Sequence, residues 1–162
     1  MTRSLKSAKL SDRSLPIDVS FTNSYAATLH FAIALHTYLG CDDVRKAGLS
    51  RLAGRAFSDK VGGPARVATE SRWWVEPRIW QTYDGAFGPM RLIDHCVEPI
   101  QRGFKQTVVW NPHEAGSIGL DDLAAGVRSR FLCVEPAQAT RSLALAPLAA
   151  CAGSLTLHAS GP

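Results

Sequence analysis

No two of the four cysteines, Cys41, Cys96, Cys133 and Cys151, stand close together in the chain. The C-x-x-C pairs that mark zinc sites are therefore missing, and spacing alone leads to the expectation of no metal centre. Nothing else marks a secreted disulfide framework. No apolar run approaches the ~20 residues of a membrane-spanning helix. The opening segment, polar and basic around Arg3, Lys6, Lys9 and Arg13, has no apolar centre of the kind a secretory signal needs. The expectation is a reduced, cytoplasmic protein with no membrane partner. Lysine is also scarce: thirteen of the eighteen basic residues are arginine, which suits bidentate carboxylate or phosphate contacts. These arginines are scattered rather than gathered into a stripe, so no nucleic-acid partner is expected.

What is present is enough for one packed domain over residues 1–162. Hydrophobic residues make up 46% of the chain and charged residues 20%, with a net charge of +4, a balance that excludes wholesale disorder. The apolar pattern has a period of two. Ile17, Val19 and Phe21 alternate with Asp18, Ser20 and Thr22. From Leu29 to His36 one face carries Leu29, Phe31, Ile33 and Leu35 and the other His30, Ala32, Ala34 and His36, which favours a strand over a helix. Thr37 to Leu39 continues that strand, and Val44 to Leu49 reads as another. Residues 62–71 read as loop, and Arg72 to Tyr83 as one bent, aromatic-rich strand interrupted by Pro77. Short strands follow at Met90–Asp94, His95–Gln101 and Gln106–Trp110. After a polar connection from Asn111 to Asp122 and a helical turn within Leu120–Val127, strands return at Phe131–Pro136, Ser142–Leu145 and Ser154–His158. Many short strands with frequent turns predict an all-β antiparallel sandwich.

Phe131-Leu132-Cys133-Val134-Glu135-Pro136-Ala137 stands out because a single carboxylate sits in an apolar run. An ionised glutamate without partners is costly to bury. Glu135 is therefore either a strand-end residue that reaches solvent or a general base in a pocket. His36 ends a face whose small alanines leave room for something to approach, or for another sheet to pack closely. Asp59 is either a turn residue or a carboxylate that contacts a ligand. The tryptophans Trp73, Trp74 and Trp80 belong to the core or form a platform for stacking a sugar.

Five stretches occur in order: Ala34-Leu35-His36-Thr37-Tyr38-Leu39; Leu52-Ala53-Gly54 with Phe57-Ser58-Asp59-Lys60; Val108-Val109-Trp110-Asn111-Pro112; Cys133-Val134-Glu135-Pro136-Ala137; and Leu145-Ala146-Pro147 with Gly153-Ser154. Together they resemble the glucose-6-phosphate 1-epimerase branch of the aldose 1-epimerase superfamily. The resemblance runs from Leu15 to the C-terminus and looks like the second half of that family's domain. It implies a galactose mutarotase-like β-sandwich, here partial, that interconverts the α and β anomers of a hexose 6-phosphate without a cofactor. By resemblance His36 is the acid that protonates the ring oxygen, Glu135 the base that takes the anomeric proton, and Asp59 a carboxylate that binds sugar hydroxyls. Ring opening needs one group to accept and one to donate a proton, placed on opposite sides of the sugar. The family's upstream histidine-glycine-arginine motif and phosphate-gripping arginines have no counterpart in this chain. That keeps open a mutarotase of unphosphorylated aldoses, or a carbohydrate-binding module without turnover. A half sandwich also leaves an edge for self-association.

Overall fold

The structure is a computed structural model and describes residues 3–61, 63–69, 72–74, 79–85, 89–93, 97–112, 123–124 and 126–159. Fourteen strands run through these residues: β1 (Arg3–Ala8), β2 (Ser14–Thr22), β3 (Leu29–Ala34), β4 (Tyr38–Gly40), β5 (Gly48–Ser50), β6 (Ala56–Asp59), β7 (Gly63–Val67), β8 (Arg72–Trp74), β9 (Ile79–Asp84), β10 (Leu92–Ile93), β11 (Val97–Arg102), β12 (Gln106–Asn111), β13 (Phe131–Leu145) and β14 (Ala150–Ala159). They form a seven-stranded sheet in the order β3-β13-β12-β9-β6-β7 with β4 also on β13, a four-stranded sheet β1-β2-β14-β11, and a three-stranded sheet β10-β5-β8. Every pairing is antiparallel. The all-β antiparallel expectation holds. Among the described residues no helix is long and apolar enough to cross a membrane.

The core follows from the two-residue period. One face of the large sheet presents Leu39, Leu132, Val134, Val109, Ile79, Tyr83 and Phe57, which cluster with Val44, Leu49, Leu52, Met90 and Leu92. Alternation then sends Cys133, Glu135, Val108 and Trp110 to the other face.

Several boundaries differ from the sequence expectation. Val44 to Leu49 is not one strand. Val44–Lys46 is a 3-10 turn whose start is capped by Asp43, the side chain accepting from Arg45 N at 3.0 Å, and β5 begins only after it. Part of the expected loop at residues 62–71 is the edge strand β7, paired with β6; Pro64 is tolerated there because an edge strand need not donate on its open side. The aromatic segment is two strands in different sheets, β8 and β9. The polar N-terminal stretch, read from sequence only for its charge, forms β1 on β2. Phe131–Pro136 and Ser142–Leu145 are one continuous strand, β13, with an irregular register between Gln138 and Leu143. The expected connection at Asn111–Asp122 and the helical turn at Leu120–Val127 fall largely outside the described residues.

Gly103 shows how closely the chain turns into the four-stranded sheet. Its φ of 77° is one that L residues rarely adopt, and a Cβ there would collide with the carbonyl oxygen of Ala152. Gly103→Ala is expected to lower stability by about 2–4 kcal/mol, combining backbone strain and overpacking. Urea denaturation measures it, and an unchanged midpoint would show that this turn relaxes freely.

Candidate active site

His36 and Glu135 are cross-strand neighbours. β13 pairs Ala137 with Ala34 through β3 and Cys133 with Tyr38 through β4. The register is the same on both sides of the break, and Leu35 N donates to Pro136 O at 3.0 Å within it. That continuity sets His36 opposite Glu135, on one face of the pleat. Nε2 of His36 lies 3.5 Å from Oε1 of Glu135. The same pleat carries Val108 on β12, Thr82 on β9 and Ser58 on β6 as the next members of this row.

The row on one side is aromatic: Tyr38, Cys133, Trp110 and Trp80 follow one another across the sheet. The Tyr38 ring stacks on the His36 imidazole at 4.8 Å and 21°, while Trp110 meets it edge-on at 5.4 Å. Tyr38 and Trp80 remain exposed, and Lys60 Nζ sits 4.4 Å over the Trp80 ring. The row on the other side is Ala34, Ala137, Gln106 and Asp84. Beyond it a cavity of about 330 Å³ is lined by Asp84, Gly85, Lys105, Gln106, Gln138 and Arg141.

The electrostatics follow from burial. The Glu135 side chain is 6% exposed and that of His36 48%. Of the two sequence alternatives for Glu135, a strand-end carboxylate reaching solvent is thus excluded. Desolvation pushes the Glu135 carboxyl up to about 7, since loss of water penalises its charged form. Partial burial pulls the His36 imidazole below its ordinary 6.5. Burial thus moves the carboxyl up and the imidazole down, in each case against the charged form.

Asp59 does not join them. It pairs with Gln81 on β9, one step out of register with the Ser58–Thr82–Val108–Glu135 row and so on the opposite face, three strands away. There Gln81 Nε2 donates to its Oδ2 at 3.1 Å and Val61 N to its Oδ1 at 2.8 Å, while Tyr83 Oη donates to Gln81 Oε1 at 2.6 Å. It thus stands on the opposite side of the sheet from His36 and Glu135. The carboxylate that does stand on that face is Asp84, which accepts from Gln106 Nε2 at 2.8 Å. In the sequence Asp84 reads with Gly85 as a turn signal and Gln106 as the start of a strand, and neither is singled out as a site residue.

No family model matches the chain. A protein of Cenchrus ciliaris provisionally described as a glucose-6-phosphate 1-epimerase is 25% identical over 153 residues, 91% of this chain and 46% of that protein. The chain thus spans about half the length of the curated relative it matches. Among solved structures, a protein of Salmonella typhimurium provisionally described as a mutarotase superposes with a TM-score of 0.87 at 20% identity, covering 99% of this chain and 54% of the other. One from Escherichia coli K12 provisionally described as an aldose 1-epimerase gives 0.74 at 16% identity, covering 97% and 60%. The fold is that of the galactose mutarotase-like proteins, and the chain resembles the glucose-6-phosphate 1-epimerase branch.

Proposed function

We propose that this chain, with its mutarotase-like fold, serves as the acid–base half of an aldose 1-epimerase that acts on a hexose 6-phosphate. The observation that carries the proposal is the placing of His36 opposite Glu135, 3.5 Å apart on one sheet face, with Tyr38 stacked on the imidazole and Trp110 edge-on to it.

The anomeric hydroxyl oxygen and the ring oxygen are bonded to the same carbon. An acid and a base side by side on neighbouring strands can therefore serve both oxygens, and the opposite-side placement expected from the sequence is not required. Glu135 takes the proton from the anomeric hydroxyl while His36 Nε2–H gives one to the ring oxygen, and the C1–O5 bond breaks to leave an aldehyde. Rotation about C1–C2 turns the other carbonyl face toward the C5 hydroxyl. Protonated Glu135 then returns its proton to the carbonyl oxygen, neutral His36 takes the one on the C5 hydroxyl, and the ring closes as the other anomer. Each group ends as it began, so no cofactor is consumed. The exposed rings of Tyr38 and Trp80 offer apolar surface to the C–H faces of a pyranose.

Two observations support a phosphorylated substrate: the likeness to the Cenchrus ciliaris protein and the cations Lys105 and Arg141 on the cavity one row from the pair. The test is the equilibration of freshly dissolved α-glucose 6-phosphate, coupled to a β-specific dehydrogenase and compared with α-glucose. Acceleration that disappears in His36→Ala, with a lower KM for the phosphorylated sugar, is the expected result. Equal KM values for both sugars would overturn the phosphate specificity. A folded protein that binds sugar without accelerating exchange would be a binding module instead.

The pH dependence of kcat/KM should be a narrow bell. The active form needs Glu135 ionised and His36 protonated, yet burial raises the carboxyl to about 7 and lowers the imidazole from its ordinary 6.5, so the two titrations run in reverse order. The active form is thus a minority species peaking slightly on the acid side of neutrality, because the two titrations belong to a coupled pair. A plateau extending to alkaline pH would exclude His36 as the acid.

A further inference from the structure

The Cys133 thiol is not used in the acid–base chemistry. It occupies the row next to His36 and Glu135 on the same face, fully buried between Tyr38 and Trp110, its partners in register. Its Sγ, a nitrogen of His36 and a carboxylate oxygen of Glu135 all lie within 4.8 Å of one another. We propose that these three side chains form a binding site for a zinc-like divalent cation, and that occupancy of this site shuts off the sugar chemistry.

The geometry comes first. Ligand atoms around tetrahedral zinc stand about 3.4 Å apart for a nitrogen–oxygen edge, given bond lengths of about 2.0–2.2 Å. The His36–Glu135 separation of 3.5 Å matches that edge already. The sulfur, within 4.8 Å of the other two donors, needs to close by roughly 1 Å for a zinc–sulfur bond of about 2.3 Å. The donors also discriminate: thiolate and imidazole prefer zinc, cobalt or copper to magnesium or calcium, which take oxygen shells. Three protein ligands leave a fourth position, and the half-exposed imidazole marks the side from which water or a solute enters. On binding, the Cys133 proton passes to solvent and the thiolate bonds the metal.

Exclusion follows from identity of parts. A metal on Oε of Glu135 and Nε2 of His36 removes the proton acceptor and the proton donor together, so metal and substrate compete. This last clause rests on the proposed epimerase chemistry; the binding site itself does not. The sequence spacing that led to no expectation of metal speaks only of ligands close in the chain, whereas the sheet brings these three together from β13 and from the segment between β3 and β4.

Chelator-treated protein comprising residues 1–162, titrated with Co²⁺, decides the matter without reference to activity. One equivalent should bind with a thiolate-to-cobalt charge-transfer band in the near ultraviolet and visible bands of tetrahedral strength, both bleached by Zn²⁺. Cys133→Ala should lose the charge-transfer band, and Glu135→Gln should weaken binding at least tenfold, with circular dichroism unchanged in each. A charge-transfer band that survives Cys133→Ala would place the metal on another cysteine and overturn the proposal, as would no cobalt binding by folded wild type. If the wild type turns over sugar, stoichiometric Zn²⁺ should abolish that turnover, and turnover that persists with zinc bound would overturn the competition. If it turns over nothing, the epimerase reading fails while the spectra still decide the site.

Discussion

Glu135→Gln is expected to slow anomerisation by about 10²–10⁴-fold, the usual contribution of a positioned general base, and at the same time to make the protein more stable above neutral pH. The two effects share one cause. Burial holds the Glu135 carboxyl near 7 in the folded state, against an ordinary 4.5. The folded protein therefore keeps this proton where the unfolded chain releases it. Relative to glutamine the carboxyl is no burden below the ordinary value; its penalty grows as pH rises and is complete above about 7. A shift of this size corresponds to about 3 kcal/mol. Urea denaturation of both proteins across this range measures the effect: the wild type should lose stability on going alkaline and the variant should follow a flatter course. Parallel curves would show that the carboxylate finds solvation in the folded protein. An active Glu135→Gln variant would end its assignment as the base.

Gln106→Ala is expected to lower stability by about 2–4 kcal/mol, because one buried side chain satisfies a bend in the central strand. Ala139 N and Thr140 N donate to Gln106 Oε1 at 2.8 and 3.0 Å, and its Nε2 donates to Asp84 Oδ1 at 2.8 Å and to Thr140 Oγ1. Removing the amide loses four hydrogen bonds where β13 loses its register with β3, each contributing about 0.5–1.5 kcal/mol net, since exposed Ala139 and Thr140 can turn to water. Gln106→Met keeps the volume without the hydrogen bonds. It should lose as much as the alanine variant if hydrogen bonding dominates, and a near-wild-type midpoint for Met would assign the loss to packing instead.

This same residue explains what was legible in the sequence and what was not. Alternation identified Leu29–His36 because one face of that strand is apolar, whereas Phe131–Pro136 stood out as an apolar run, buried on both faces. It did not join Phe131–Pro136 to Ser142–Leu145, since Gln138 to Arg141 breaks the alternation. What carries the strand through is a glutamine more than thirty residues away, and no local pattern records it. β7 was hidden for a related reason: an edge strand with Pro64 and Gly63 buries too little to impose a period. Val44–Lys46 was misassigned because Asp43 caps a turn that its apolar neighbours disguise as a strand.

For the site, residue type was informative and pleat parity was not. His36 and Glu135 were singled out by their apolar settings but given roles only through the family resemblance, and the register of β13 puts them opposite each other. Asp59 has the right chemistry one residue out of step, which on a strand means the other side of the sheet. The phase of β6 against β9 fixes this, and it is a property of the pairing rather than of Phe57-Ser58-Asp59-Lys60. Cys133 has the reverse history: an unremarkable core thiol by sequence, it lies beside the pair only because β4 and β12 flank it.

The long reach of β13 has a consequence for how the molecule comes into being. Its partners β3 and β4 belong to the first third of the chain and β13 to the last, so the central pairings close very large loops. Chains built on such distant pairings reach the native state slowly, on the order of milliseconds to seconds. During synthesis His36 leaves the ribosome roughly a hundred residues before Glu135, and at ~5–20 residues per second this is a wait of several seconds. Through that interval the apolar edge of β3 has no partner in its own chain, and a chaperone or another nascent chain is the contact open to it.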